Sequence, residues 1–324
     1  MISVVDNRRA LLADWLQTET SFKDGELSIA SADASFRRYF RLNHNGKSYI
    51  VMDAPPELEP SLPFVEIGKW MKNSGINVPE IHQYELDLGF MVLSDFGDFH
   101  FQDALESKNQ NTLYDLAISE IVQFQMSLPE ASEKLPTFNK KWQIKELEIF
   151  REWCLPDLPE TEYQSTIKGL VEAIDQIPKA FMHRDFHCRN LLVCSDQKLG
   201  IIDFQGAMHG PITYDLVSLL RDCYIDNQDE WITKKVFQFK QLLQHSEIPY
   251  AQVDQDEFIR WFDFVGLQRH LKCVGIFHRL KIRDKKPEYM KDVPRVLAYI
   301  ETVLKRNHEL IEIQKLVQNA TILK

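Results

Sequence analysis

The stretch Phe181–Phe204 constrains this chain more than any other. It reads FMHRDFHCRNLLVCSDQKLGIIDF. An apolar piece leads into His183-Arg184-Asp185-Phe186-His187-Cys188-Arg189-Asn190. Two short apolar pieces around a polar turn follow, and the stretch closes on Asp203-Phe204. Leu191–Cys194 and Leu199–Ile202 are predicted to pair as short strands about Ser195–Lys198. Such a hairpin would bring Asn190 and Asp203 to the same end. Asp203 follows Gly200-Ile201-Ile202 at the end of a buried strand, where an unpaired charge is costly.

Two chemistries fit these residues. The first is phosphoryl transfer, which needs positioning and charge neutralisation more than covalent help. Asp185 would stand by the attacking hydroxyl, and Asn190 and Asp203 would hold Mg2+, a hard ion that takes oxygen ligands and keeps waters. The second is a transition-metal site made from His183, Asp185, His187 and Asp203. That reading gives no task to Asn190 or to the apolar flanks. His183 is expected to be an orienting, hydrogen-bonded core histidine.

The spacing resembles a known pattern. His183 to Asn190 keep the H-R-D-x-x-x-x-N form of the protein-kinase catalytic loop, with Asp203-Phe204 as the metal-binding pair further on. His187, the second histidine, and Gln205 in place of the glycine after Asp-Phe are similar to the aminoglycoside phosphotransferase and choline kinase branch of that fold. Tyr214-Asp215-Leu216 after Gly210-Pro211 resembles the branch's aspartate near the loop, which implies that Asp215 ties the loop by hydrogen bonds. The resemblance implies an α+β, protein-kinase-like bilobed fold. Residues 1–94 would form a small antiparallel-sheet lobe for the nucleotide, and 95–324 a larger, mainly helical lobe for catalysis and substrate.

Charge and cysteine usage narrow the setting. The 324 residues carry 38 basic and 48 acidic side chains, a net charge of −10, which argues against a nucleic-acid partner. A nucleotide site remains compatible, because magnesium and a few local cations neutralise phosphates. Cys154, Cys188, Cys194, Cys223 and Cys273 form no C-x-x-C pair and are odd in number, as expected of reduced thiols. The N-terminus has no continuous apolar run, and no segment reaches the ~20 apolar residues of a membrane span. A cytoplasmic monomer acting on small molecules, with no nucleic-acid or membrane partner, is expected.

Taken in order, the chain is predicted to open with a helix over Arg8–Gln17 and three strands at Leu27–Ala30, Arg38–Leu42 and Ser48–Met52. Asn45-Gly46 signals a tight hairpin. The loop of residues 31–38 has no glycine. It is either an ordinary polar turn or a phosphate-covering loop using Ser31, Ser35 and Arg37. The third strand lacks the lysine that pairs with the α- and β-phosphates in the kinases it resembles; Met52 stands there, so either Arg37 or Arg38 would supply the cation or phosphate binding would be weaker than usual. A helix follows at Phe64–Asn73; Glu66 is the candidate for the helix glutamate of the kinases it resembles, but without a strand lysine it is expected to be a solvated surface residue unless Arg37 pairs with it. Strands are expected at Val78–Ile81 and Phe90–Leu93. Leu93, Asp95 and Phe96, at the hinge, would offer backbone groups to an adenine edge. Helices are expected at Asn111–Leu128 with Asn111 as N-cap, and at Lys141–Phe150, Glu160–Ile177, Asp215–Cys223, Asp229–His245, Gln255–Ile282 and Val293–Val317. The basic stretch Gly266–Lys286 is either a solvated helix face or an anion-reading wall of the substrate cleft.

Two further stretches narrow the resemblance. Asp33-Ala34-Ser35-Phe36-Arg37-Arg38-Tyr39-Phe40-Arg41, with Val51–Glu57, is one; Gly266–Lys272, with Val274–Leu280, is the other. Together they resemble the bacterial N-acetylmuramate/N-acetylglucosamine anomeric kinases of cell-wall sugar recycling, over nearly the whole chain. This implies ATP-dependent phosphorylation of a sugar's C1 hydroxyl oriented by Asp185. His187, Arg189, Arg269 and Arg279 are the candidate substrate-binding residues, the last two answering the lactyl carboxylate of N-acetylmuramate. The rival readings are a kinase of choline, homoserine or an aminoglycoside, and a non-catalytic sugar or nucleotide binder.

Overall fold

A computed structural model describes residues 7–31, 36–106, 108–195, 198–245 and 252–320. The chain divides into two compact units, residues 1–100 with 191–205, and residues 101–190 with 206–324.

The first unit is built on an antiparallel sheet. Its strands are β1 (Glu26–Ser31), β2 (Arg38–His44), β3 (Lys47–Asp53), β4 (Ile81–Glu85) and β5 (Phe90–Ser94), in the order β1-β2-β3-β5-β4. Asn45 and Gly46 both take positive φ, 50° and 72°, which is the mirror-image turn that matches strand twist. Side chains alternate across the sheet. Phe40, Leu42, Val51, Phe90 and Val92 form one face and meet Leu12, Trp15 and Leu16 of α1 (Asn7–Thr18). Helix α2 (Leu62–Asn73) buries Phe64, Val65, Ile67, Gly68 and Met71, and leaves Glu66 exposed. Strand β4 starts at Ile81 rather than at Val78, because Pro79 brings no N–H to a ladder.

The second unit is mainly helical. It contains α3 (Phe101–Ala104), α4 (Gln110–Ser127), α5 (Pro129–Glu133), α6 (Lys140–Cys154), α7 (Glu160–Asp175), α8 (Tyr214–Leu220), α9 (Asp229–His245), α10 (Gln255–Ile282), α11 (Val293–Arg306) and α12 (Ile311–Asn319). A two-stranded ladder joins β6 (Lys179–Met182) to a later strand, Met208–Pro211. Asn109, not Asn111, occupies the N-cap position of α4; Asn111 lies inside the helix and accepts a hydrogen bond from Trp231 Nε1 at 2.9 Å. The single helix expected over Val293–Val317 is broken at Asn307. That side chain donates to Asp263 Oδ2 (3.1 Å) and to the Val303 carbonyl (2.9 Å), and α12 starts afresh. Asp263 is fully buried and also pairs with Arg221 at 2.8 Å, so one carboxylate braces the end of α8 against α10 and α11. None of the described helices is long and apolar enough to cross a membrane.

Candidate active site

The loop from His183 to Asn190 leaves β6 and is held by two aspartates. Asp215, at the start of α8, accepts from the backbone N–H of His183 (2.7 Å) and of Arg184 (2.8 Å). Asp222, just past α8, accepts from Cys188 N–H (2.8 Å) and Tyr224 N–H (2.9 Å). Asp215 therefore has the tying role expected of it. Burial pushes its carboxyl up to about 7 against the pull of the two N–H groups. Arg184 sits at φ 80°, a conformation costly for a non-glycine residue and maintained by these clamps.

Asp185 is half-buried at the turn of this loop. Burial works against its charge, but Lys272, His187, Arg184 and Arg269 outweigh it, and its carboxyl lies below the usual aspartate value. It is ionised at neutral pH. Asn190 Nδ2 donates to the Asp185 carbonyl at 2.9 Å, so the amide oxygen is the Asn190 atom with ligating chemistry. His187 packs edge-on to Tyr224, with ring centroids 5.7 Å apart, and burial lowers its pKa. The Arg189 guanidinium carbon lies over the Tyr224 ring, 3.4 Å from its centroid, with the Tyr289 centroid at 5.8 Å.

Behind the loop, α6 and α10 supply buried charge. Glu146 accepts from Arg184 (2.7 Å) and Gln268 (3.1 Å), and Lys272 lies 3.4 Å away. Lys272 also donates to the Tyr214 hydroxyl at 3.0 Å. One carboxylate thus answers two cations. Arg269 is 4% exposed and donates to Cys223 Sγ at 3.7 Å. The solvated-face reading of Gly266–Lys286 fails for Arg269, His270 and Lys272, which are buried; it holds for Lys281, Arg283 and Lys285, which are exposed. Arg279 is half-buried further along the helix, near Arg283, Asp284 and Glu152.

Glu146 and Asp222 carried no motif and were not singled out from sequence. Glu146 did leave a trace, because it shares the helical stripe Gln143, Leu147, Phe150 and Cys154, and an acid on a buried stripe needs partners.

In the first unit, β7 (Leu191–Val193) and β8 (Leu199–Ile201) pair as expected, Leu191 opposite Ile201. Asp203 follows at φ 63°, and Gln205 Nε2 donates to its Oδ1 at 2.6 Å. Phe204 packs at a tilt against Phe64, with centroids 4.7 Å apart, and a Cβ on Gly68 would meet its ring at 3.2 Å. Leu93 is buried in β5 opposite Ile50 of β3. Phe96 lies over Gly200, where a Cβ would come within 2.5 Å of the ring. The Asp95 side chain is engaged by Arg41 Nε (2.7 Å), Ser48 Oγ (2.5 Å) and Gly97 N–H (2.8 Å); burial opposes its charge, but these bonds hold it below the usual range. Ser35 lies outside the described residues, and of Ser31 only the backbone is described. Arg37 pairs with Glu59 at 2.9 Å. Arg38 is a correction to the expectation for the missing lysine. It shares the sheet face of Phe40 and binds Asp53 (2.5 Å) beside Arg8 of α1, whereas Met52, opposite Tyr39, belongs to the other face.

Among the described residues no group of three or more His, Cys, Asp or Glu is placed to hold a metal, which removes the support for a transition-metal cluster at His183, Asp185, His187 and Asp203.

The chain is similar to known proteins over most of its length. The phosphotransferase enzyme family (APH) matches residues 26–246. An N-acetylmuramate/N-acetylglucosamine kinase of Neisseria meningitidis is 36% identical over 321 residues, covering 96% of this chain and 95% of the relative. One of Pseudomonas putida is 35% identical over 330 residues, covering 96% of each. Among solved structures, an ethanolamine kinase of Plasmodium vivax superposes with a TM-score of 0.65 at 11% identity, over 90% of this chain and 87% of that one. It shares the protein-kinase-like fold.

Proposed function

The chain belongs to the phosphotransferase enzyme family, and we propose that it moves the γ-phosphoryl group of ATP to the anomeric C1 hydroxyl of N-acetylmuramate and N-acetylglucosamine, yielding an α-1-phosphate in peptidoglycan recycling. The observation that supports this beyond the relatives is the charge around Asp185. Arg184, Arg269 and Lys272 lie around it, and Glu146 and Asp222 answer part of their charge. A cationic acceptor such as choline or an aminoglycoside would meet repulsion there. A neutral or anionic sugar would not.

Asp185 accepts the hydrogen bond of the C1 hydroxyl and orients its oxygen toward phosphorus. The new O–P bond forms as the bond to the ADP oxygen breaks, and the proton passes to Asp185. An ionised aspartate with a lowered pKa is a weak base, and it suits an anomeric hydroxyl because that group is more acidic than an ordinary alcohol. Magnesium fits the donor chemistry, one amide oxygen from Asn190 and a carboxylate from Asp203, which enter and leave the β7–β8 hairpin. When bound, the ion neutralises the phosphate oxygens. Backbone groups of Leu93, Asp95 and Phe96 take the adenine edge. Ser31, Ser35 and Arg37 serve the phosphates, Arg37 by leaving Glu59. His187 and Arg189 face the sugar, and the protein acts as a cytoplasmic monomer.

The test is ADP release with magnesium-ATP and, in turn, N-acetylmuramate, N-acetylglucosamine, choline, homoserine and an aminoglycoside. Turnover with the two sugars is expected. Turnover confined to choline, homoserine or the aminoglycoside, or none at all, refutes the proposal.

A further inference from the structure

We infer that Arg269 alone, and not Arg279, reads the carboxylate that distinguishes an acidic sugar from a neutral one. This rests on the sugar-kinase reading and adds a specificity-determining residue to it. Arg269 is a guanidinium 4% exposed, and among the described residues no Asp or Glu lies within ion-pair distance of it. Its hydrogen bond goes to a sulfur, Cys223 Sγ at 3.7 Å, a weak acceptor.

The other cations of this region are treated differently. Arg221 has Asp263 at 2.8 Å, Arg184 has Glu146 at 2.7 Å, and Lys272 has Glu146 at 3.4 Å. The acids closest to the loop are taken up by backbone N–H groups, Asp222 by Cys188 and Tyr224, and Asp215 by His183 and Arg184. A buried cation with no carboxylate in contact is costly, and one retained in that state is suited to an anion that arrives with the ligand. The guanidinium faces the Cys223 and Cys273 sulfurs, with Tyr214 and the Asp222 carboxylate acting on it from beyond ion-pair distance.

Position agrees with this. Arg269 lies one turn from Lys272 on α10, and both act on the Asp185 carboxylate. The carboxylate of N-acetylmuramate hangs from the same ring as the C1 hydroxyl that Asp185 orients, within one sugar's breadth. The planar guanidinium fork matches a carboxylate with two parallel bonds. Arg279 is ten residues on, ~15 Å along the helix axis, and its charged neighbours are Arg283, Asp284 and Glu152. It cannot share one carboxylate with Arg269.

The experiment is a cycle of kcat/KM values for N-acetylmuramate and its lactyl methyl ester, with wild type, Arg269→Gln, Arg269→Lys and Arg279→Gln. The wild type should prefer the acid by about 10- to 100-fold, the range of a charge-assisted contact. Arg269→Gln should bring the acid-to-ester ratio close to one, Arg269→Lys should restore part of it, and Arg279→Gln should keep the wild-type ratio. A wild-type ratio near one, a ratio unchanged in Arg269→Gln, or a ratio lost in Arg279→Gln would overturn the inference. The ester ratio is internal to each variant, so a partly misfolded sample does not mimic the effect. Should wild type phosphorylate neither sugar, the sugar-kinase reading fails instead.

Discussion

At the scale of single residues, the proposed function gives the chemistry to Asp185, and its neighbours set its charge state. Asp185→Asn removes the proton acceptor while keeping the side chain's shape, and kcat should fall about 10²- to 10⁴-fold. Steady-state rates beside circular dichroism of the folded variant check this; a loss under tenfold would contradict the role. His270 gives a prediction about pH. Its Nε2 donates to the Arg221 carbonyl at 3.0 Å, and its Nδ1 is buried without a partner. Burial, and then Arg269, pulls its pKa from 6.5 down to about 3. As pH falls below 6.5 the unfolded chain takes up a proton that the folded one refuses, so this stabilisation is full above pH 6.5 and declines toward pH 3. His270→Gln keeps an N–H for the carbonyl and should lose less melting temperature than wild type between pH 8 and pH 5. Parallel losses would count against it. The sequence displayed Asp185, Asn190 and Asp203 through their spacing. It could not show that Arg269 and Lys272 are buried, because a basic run on a helix looks alike whether it faces water or a partner helix.

At the scale of elements, the site depends on how α10 lies on α6. A Cβ on Gly275 would sit 2.7 Å from the Ile149 carbonyl and the Phe150 nitrogen, so the two backbones are in contact and cannot separate without moving Arg269 and Lys272. Gly275→Ala should cost about 1–3 kcal/mol, read as a lower urea midpoint at unchanged slope. Glu146 is the electrostatic counterpart of that contact. Glu146→Ala leaves the buried Lys272 and the half-buried Arg184 without their anion and should cost about 3–5 kcal/mol; under about 1 kcal/mol by the same titration would show that the cluster is solvated. Several elements were legible in the sequence because local signals agreed. Helices α9 and α10 have their expected bounds, and the Asn45-Gly46 turn and the β7–β8 hairpin form as predicted. The misjudged boundaries were decided by distant partners. Asn307 ends α11 through Asp263, 44 residues away, and Trp231 engages Asn111 from 120 residues away. No local pattern carries such contacts.

At the scale of the whole molecule, the chain divides into two units. The first holds the sheet and Asp203, the second the His183–Asn190 loop and its neighbouring cations. Fold and family were legible because the loop motif and the flanking stretches run through nearly the whole chain, and relatives at 35–36% identity cover 96% of it. The nucleotide side was less legible. Arg38, a plausible stand-in for the absent strand lysine, proves to be tied to Asp53 on the face that carries α1. The most direct measurement is phosphorus NMR of the product formed from N-acetylglucosamine and from N-acetylmuramate with magnesium-ATP. A single phosphomonoester coupled to the anomeric proton is expected for both sugars. Phosphate on any other hydroxyl, or ATP turned over with neither sugar modified, would contradict the assignment of Asp185 to the C1 oxygen.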